Sequence, residues 1–121
     1  MPKRVLVVDD EPDIRKVVSF RLKKAGYEVT TAVNGKEALE CVQKERPDLI
    51  LLDLRLPIMD GYEVCKRLKS DEVLKSIPVI LLTASMASTV REKTKEYNAD
   101  DYMVKPFDPD KLMEKIKKFI S

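Results

Sequence analysis

The chain has 121 residues, a net charge of +2, 44% hydrophobic and 36% charged residues. These values fit one heavily charged globular domain and give too little positive charge to argue for nucleic acid or an anionic membrane as a partner of this chain. There is no histidine and only three glycines, which excludes Ser-His-Asp triads and histidine zinc sites and argues against glycine-rich phosphate loops.

The first element is a continuous apolar run, RVLVV at 4–8, of the kind expected for a strand covered on both faces. A helix follows with Pro12 in its first turn and Ile14, Val17, Val18 and Leu22 on one face. YEVTTA at 27–32 alternates, which suits an edge strand. Asn34 with Glu37 three residues on reads as a capping box for a second helix, with Ala38, Leu39 and Val42 facing inward. DLILL at 48–52 is a second continuous run, and Val64 and Leu68 mark a third helix after it. PVILL at 78–82 is the fourth strand. The helix expected over 86–97 offers only Met86, Val90 and Tyr97 as a thin apolar stripe, so it is expected to be the least firmly packed element. DYMV at 101–104 is the fifth strand. Asp108 and Pro109 then open a last helix with Leu112, Met113, Ile116, Phe119 and Ile120 inward and Lys115, Lys117 and Lys118 at its negative end.

Five strands alternating with five helices predict an α/β domain over 1–121 with a parallel sheet and right-handed crossovers. Cys41 and Cys65 fall at the edges of helical stripes and are expected as small buried hydrophobes. No apolar run approaches the ~20 residues of a membrane span and no signal-peptide pattern opens the chain, so the expected location is the cytoplasm.

The functional signal lies at the strand ends. The first strand runs into Asp9 and Asp10, the third into Asp53, the fourth into Thr83 and the fifth into Lys105. In an open parallel sheet these ends share one rim, where ligands bind. Two carboxylates 4 Å apart repel by about 4 kcal/mol at an effective dielectric of 20. Three together call for a cation, or for one acid to stay protonated. Hard oxygen ligands favour Mg²⁺ over zinc. Carboxylates around a cation, with an ammonium and a hydroxyl, suit a site that receives a phosphoryl group.

The segments VLVVDDE, DLILLDLRLPIMDG, PVILLTA and DDYMVKPF, in this order over essentially the whole chain, resemble the response-regulator receiver domain of two-component signalling. The resemblance implies a flavodoxin-like sheet of order 2-1-3-4-5. It implies that Asp53 is the phosphoacceptor, loaded from a phosphohistidine of a sensor histidine kinase or histidine phosphotransfer protein. Asp10 and Asp53 are then direct Mg²⁺ ligands, Asp9 assists through water, and the backbone carbonyl of Arg55 is a further ligand. Lys105 contacts the acyl phosphate, Thr83 donates its hydroxyl to it, and Tyr102 turns inward as Thr83 moves. Lys105-Pro106 is expected to be cis. Phosphorylation is expected to switch the face of helix 4, strand 5 and helix 5 for an effector, without small-molecule turnover. Asn98 stands where many relatives have glycine, and Asn tolerates the left-handed conformation. Arg55, at a position variable in the family, is expected to govern the water that hydrolyses the phosphoaspartate. Two alternatives stand beside this reading. One is a Mg²⁺-dependent phosphatase with an Asp nucleophile, whose DxD spacing Asp9-Asp10-Glu11 does not supply. The other is a receiver-like binding module that is not phosphorylated.

Overall fold

The protein is described by a computed structural model covering residues 2–84 and 87–120. The chain alternates β1 (Arg4–Val8), α1 (Pro12–Lys24), β2 (Glu28–Ala32), α2 (Gly35–Lys44), β3 (Leu49–Asp53), α3 (Gly61–Ser70), β4 (Val79–Thr83), α4 (Ala87–Glu96), β5 (Asp101–Val104) and α5 (Pro109–Ile120). All strand pairs are parallel, in the order β2-β1-β3-β4-β5. This is the expected topology. β3 and β4 are buried at every residue, as their unbroken apolar sequences require, while β2 at the edge is partly exposed.

The period-two alternation of the strands divides the interior in two. Leu6, Val8, Ile50, Leu52, Val79 and Leu81 meet Ala38 and Val42 of α2 and Val64, Cys65 and Leu68 of α3. Val5, Val7, Leu49, Leu51, Ile80 and Leu82 meet Val18 and Leu22 of α1 and Leu112, Ile116 and Ile120 of α5. Burying one Leu or Ile side chain stabilises by about 2 kcal/mol. The four in β3, all at most 1% exposed, therefore outweigh the cost of carrying one acid to the rim.

Local chemistry sets the helix starts. Asn34 Oδ1 accepts from the Glu37 amide at 2.7 Å, and Asp60 Oδ1 accepts from Glu63 at 2.9 Å, each satisfying an orphan donor of its helix. Pro12 and Pro109 occupy first helical positions, where a missing N–H costs nothing. Asn98 adopts φ 59° and Lys105-Pro106 is cis.

Several inward positions of the sequence reading move outward. Val17 is 49% exposed and Phe119 36% exposed, because each sits at the margin of a stripe that only its neighbours fill. Cys65 is buried, but Cys41 is half-buried, since α2 turns its flank to solvent there. Met86 and the side chain of Val90 lie outside the described residues. The thin stripe of α4 also has a partner that the sequence did not disclose. Tyr97, just past its end, stacks on Tyr62 of α3 with ring centroids 5.0 Å apart, and Lys93 lies 5.6 and 5.9 Å from the two ring centres.

Candidate functional site at the sheet rim

Asp9 continues the β1 ladder, its amide bonded to the Ala32 carbonyl at 3.1 Å, and is fully buried. Its Oδ1 accepts from the Glu11 amide at 2.9 Å, while the Arg15 guanidinium donates to its backbone carbonyl at 2.8 Å. Asp53 is the last residue of β3 and only 4% exposed. The chain turns over it at once, with the Arg55 amide donating to Asp53 Oδ1 at 3.1 Å and the Gly61 amide to the Leu54 carbonyl at 3.0 Å. A Cβ on Gly61 would strike the Asp53 carbonyl and Leu54 Cα, so glycine is required for this close approach. The loop between them bends through Ile58 at φ 69°, spanned by the Met59 amide on the Pro57 carbonyl at 2.7 Å.

Lys105 arrives from the end of β5, its amide bonded to the Thr83 carbonyl at 2.6 Å. Its ammonium donates to Asp9 Oδ2 at 2.7 Å, and to Asp53 Oδ2 and Glu11 Oε1, each at 3.3 Å. Carboxylate oxygens of Asp9, Asp10, Glu11 and Asp53 lie within 4.8 Å of one another, two of the residues buried and two exposed. One ammonium thus serves several acids.

This environment alters Asp53 and Lys105. Burial, then the charge of Asp9, pushes Asp53 from 3.8 up to about 6, against the pull of the Arg55 amide and Lys105. Burial works against the Lys105 ammonium, but the Asp9 hydrogen bond and the charges of Asp53 and Asp9 outweigh it and raise its pKa. An acid held this high has unmet need for positive charge. The donor set, hard oxygens open to water on the Asp10 and Glu11 side, fits a small divalent cation such as Mg²⁺.

The structure brings together Asp9, Asp10, Asp53 and Lys105, as the strand-end reading expected. Thr83 closes β4, buried, opposite Val104 and beside Leu82, the β4 partner of Asp53. The Arg55 main chain lies at the Asp53 carboxylate through its amide. Tyr102 lies away from the acids. It is half-buried opposite Leu81, packed with the α2–α3 core, and its side chain raises the pKa of Arg91 on α4. Asp100 and Asp101 lie at the start of β5, the far rim, where Asp100 accepts from the Val79 amide and Lys69, and Asp101 from Lys115. The sequence reading missed Glu11. The available signal was its place as the third consecutive acid, directly before the proline that opens α1.

The model of the response regulator receiver domain matches residues 5–117. The chain belongs to this family. The receiver domain is 43% identical over 117 residues to the alkaline phosphatase synthesis transcriptional regulatory protein PhoP of Bacillus subtilis, covering 97% of this chain and 48% of that protein. It resembles the chemotaxis response regulator CheY4 of Vibrio cholerae at 37% identity and a TM-score of 0.92, over 99% of this chain and 100% of that one. The receiver domain of the sensor histidine kinase PA1611 from Pseudomonas aeruginosa, solved with a magnesium ion in its active site cleft, matches at 32% identity and a TM-score of 0.89, over 99% and 98% of the two chains. The chain spans about half the length of the curated relatives it matches. Among the described residues, no helix is long and apolar enough to cross a membrane.

Proposed function

We propose that Asp53 accepts a phosphoryl group from a phosphohistidine of a sensor kinase or histidine phosphotransfer protein, and that the modified domain exposes a new face to an effector. One observation carries this reading. A nearly buried carboxylate sits at the sheet rim, 3.3 Å from an ammonium shared with Asp9 and within 4.8 Å of the carboxylates of Asp9, Asp10 and Glu11.

In this mechanism an Asp53 carboxylate oxygen attacks phosphorus, the P–N bond to the donor imidazole breaks, and the imidazole nitrogen takes a proton. Asp10, Asp53 and the Arg55 carbonyl would hold Mg²⁺, with Asp9 behind them. When bound, Mg²⁺ neutralises the carboxylates and the phosphoryl oxygens. The Lys105 ammonium passes from the Asp53 carboxylate to a phosphoryl oxygen, a short move from its present 3.3 Å contact. Thr83, buried at the end of the neighbouring strand, donates its hydroxyl to the same group. Its shift opens space along β4 for Tyr102, which leaves its Arg91 contact on α4 and turns inward. The doubly charged group thereby biases the face of α4, β5 and α5 toward a partner-binding arrangement.

The domain turns over no small phosphate esters, and its setting is the cytoplasm. Relatives named as transcriptional regulators have about twice its length, which supports an output on DNA exerted through a further segment or partner rather than by this chain. The reading is tested with beryllofluoride and Mg²⁺. A bound fluoride signal in ¹⁹F NMR that disappears in Asp53→Asn, with altered hydrogen exchange across 87–104, is expected. No bound signal in the wild type, or unchanged exchange, refutes it.

A further inference from the structure

Glu11 contributes to the rim in a way that the phosphoacceptor reading leaves unused. Its amide serves Asp9 and its carbonyl accepts from Arg15 at 3.2 Å to open α1. It occupies the N-cap of that helix, yet its side chain makes no cap hydrogen bond. The carboxylate instead reaches the Lys105 ammonium at 3.3 Å. The partners of Lys105 differ in kind. The side chains of Asp9 and Asp53 are 0% and 6% exposed, whereas that of Glu11 is 58% exposed. Glu11 therefore stands at the water side of the site, with a carboxylate oxygen within 4.8 Å of one from each of Asp9, Asp10 and Asp53.

We propose that Glu11 is an electrostatic brake: it ties up Lys105 and repels small anionic phosphoryl donors, so that free donors load Asp53 slowly. The proposal rests on Asp53 being the phosphoacceptor. Two effects act in the same direction. An exposed ion pair delays release of Lys105 by at most about fivefold. A unit negative charge at about 5 Å in water-like surroundings lowers the local concentration of a monoanion by about fourfold, and of a dianion by more. Because Glu11 is exposed, both effects are open to screening by salt.

The test compares wild type with Glu11→Gln, loading each with acetyl phosphate and following intact mass over time. Mg²⁺ is kept saturating for each protein, as set by calorimetric titration. The missing cap bond means that Glu11→Gln leaves the start of α1 intact, which far-UV circular dichroism checks. At low ionic strength Glu11→Gln is expected to load about four- to tenfold faster. The ratio is expected to fall to about two or below near 1 M salt, where the screening length is about 3 Å. Phosphoramidate, which carries less negative charge, is expected to show a smaller acceleration. Equal or slower loading of Glu11→Gln at low salt overturns the proposal, as does an acceleration indifferent to salt and donor charge. If wild type takes up no phosphate from either donor, the phosphoacceptor reading fails and the brake falls with it.

Discussion

Replacing Asp53 with asparagine removes a charge that the fold holds at a cost, and the cost follows from the site. Burial and the neighbouring Asp9 raise Asp53 from 3.8 to about 6. Raising a carboxyl from 3.8 to about 6 corresponds to about 3 kcal/mol between its neutral and charged forms. Because the folded-state value is raised, the native state binds the proton more tightly than the unfolded chain does. The associated stability is fully present below pH ~4 and is lost as pH rises through about 6. Asparagine mimics the protonated acid at every pH. The metal-free Asp53→Asn protein is therefore expected to match wild type near pH 4 and to exceed it by about 2–3 kcal/mol at pH 8. Urea unfolding in EDTA, followed by far-UV circular dichroism, measures the difference. Added Mg²⁺ is expected to shrink the gap at pH 8 by stabilising wild type alone. An Asn variant no more stable than wild type at pH 8 refutes the reasoning.

Three further substitutions probe the rim. Lys105→Met leaves Asp9, with 0% side-chain exposure, without its ammonium, and is expected to cost about 3–5 kcal/mol at pH 8 in the same unfolding assay. The loss is expected to narrow as acidification through about 6 protonates Asp53, and a pH-independent loss contradicts the assignment. Gly61→Ala drives a Cβ into the Asp53 carbonyl. It is expected to cost about 1–3 kcal/mol of stability and to slow phosphoryl uptake by about tenfold or more, because misplacing the nucleophile is penalised steeply. Uptake at the wild-type rate counts against that placement. Arg55→Ala is expected to shorten the phosphoryl lifetime by up to about fivefold, the range open to an exposed side chain. Lifetimes measured by intact mass with Mg²⁺ present decide it, and equal values dismiss a role for Arg55.

The topology was legible because the strongest local signal, unbroken apolar runs against helical stripes, agrees with the tertiary demand for a sheet covered on both faces. The same agreement placed Asp9, Asp53, Thr83 and Lys105 on one rim, since polar residues at parallel strand ends have nowhere else to go. Positions at stripe margins were not legible. Val17 and Phe119 are apolar and correctly phased, but whether a margin is covered depends on the neighbouring helix. The Tyr62–Tyr97 stack joins α3 to the end of α4 across a distance that no local pattern reports. Glu11 escaped notice because an exposed acid before a helix reads as ordinary capping. Only the side-chain geometry shows the carboxylate turned toward Lys105. The raised pKa of Asp53 likewise needs the depth of the rim and the position of Asp9, both tertiary quantities.

Intact mass after incubation with acetyl phosphate and Mg²⁺ tests the central claim most directly. The account predicts a gain of one phosphoryl group in wild type that is absent in Asp53→Asn and absent when EDTA replaces Mg²⁺. No gain in wild type, or an equal gain in Asp53→Asn, contradicts it.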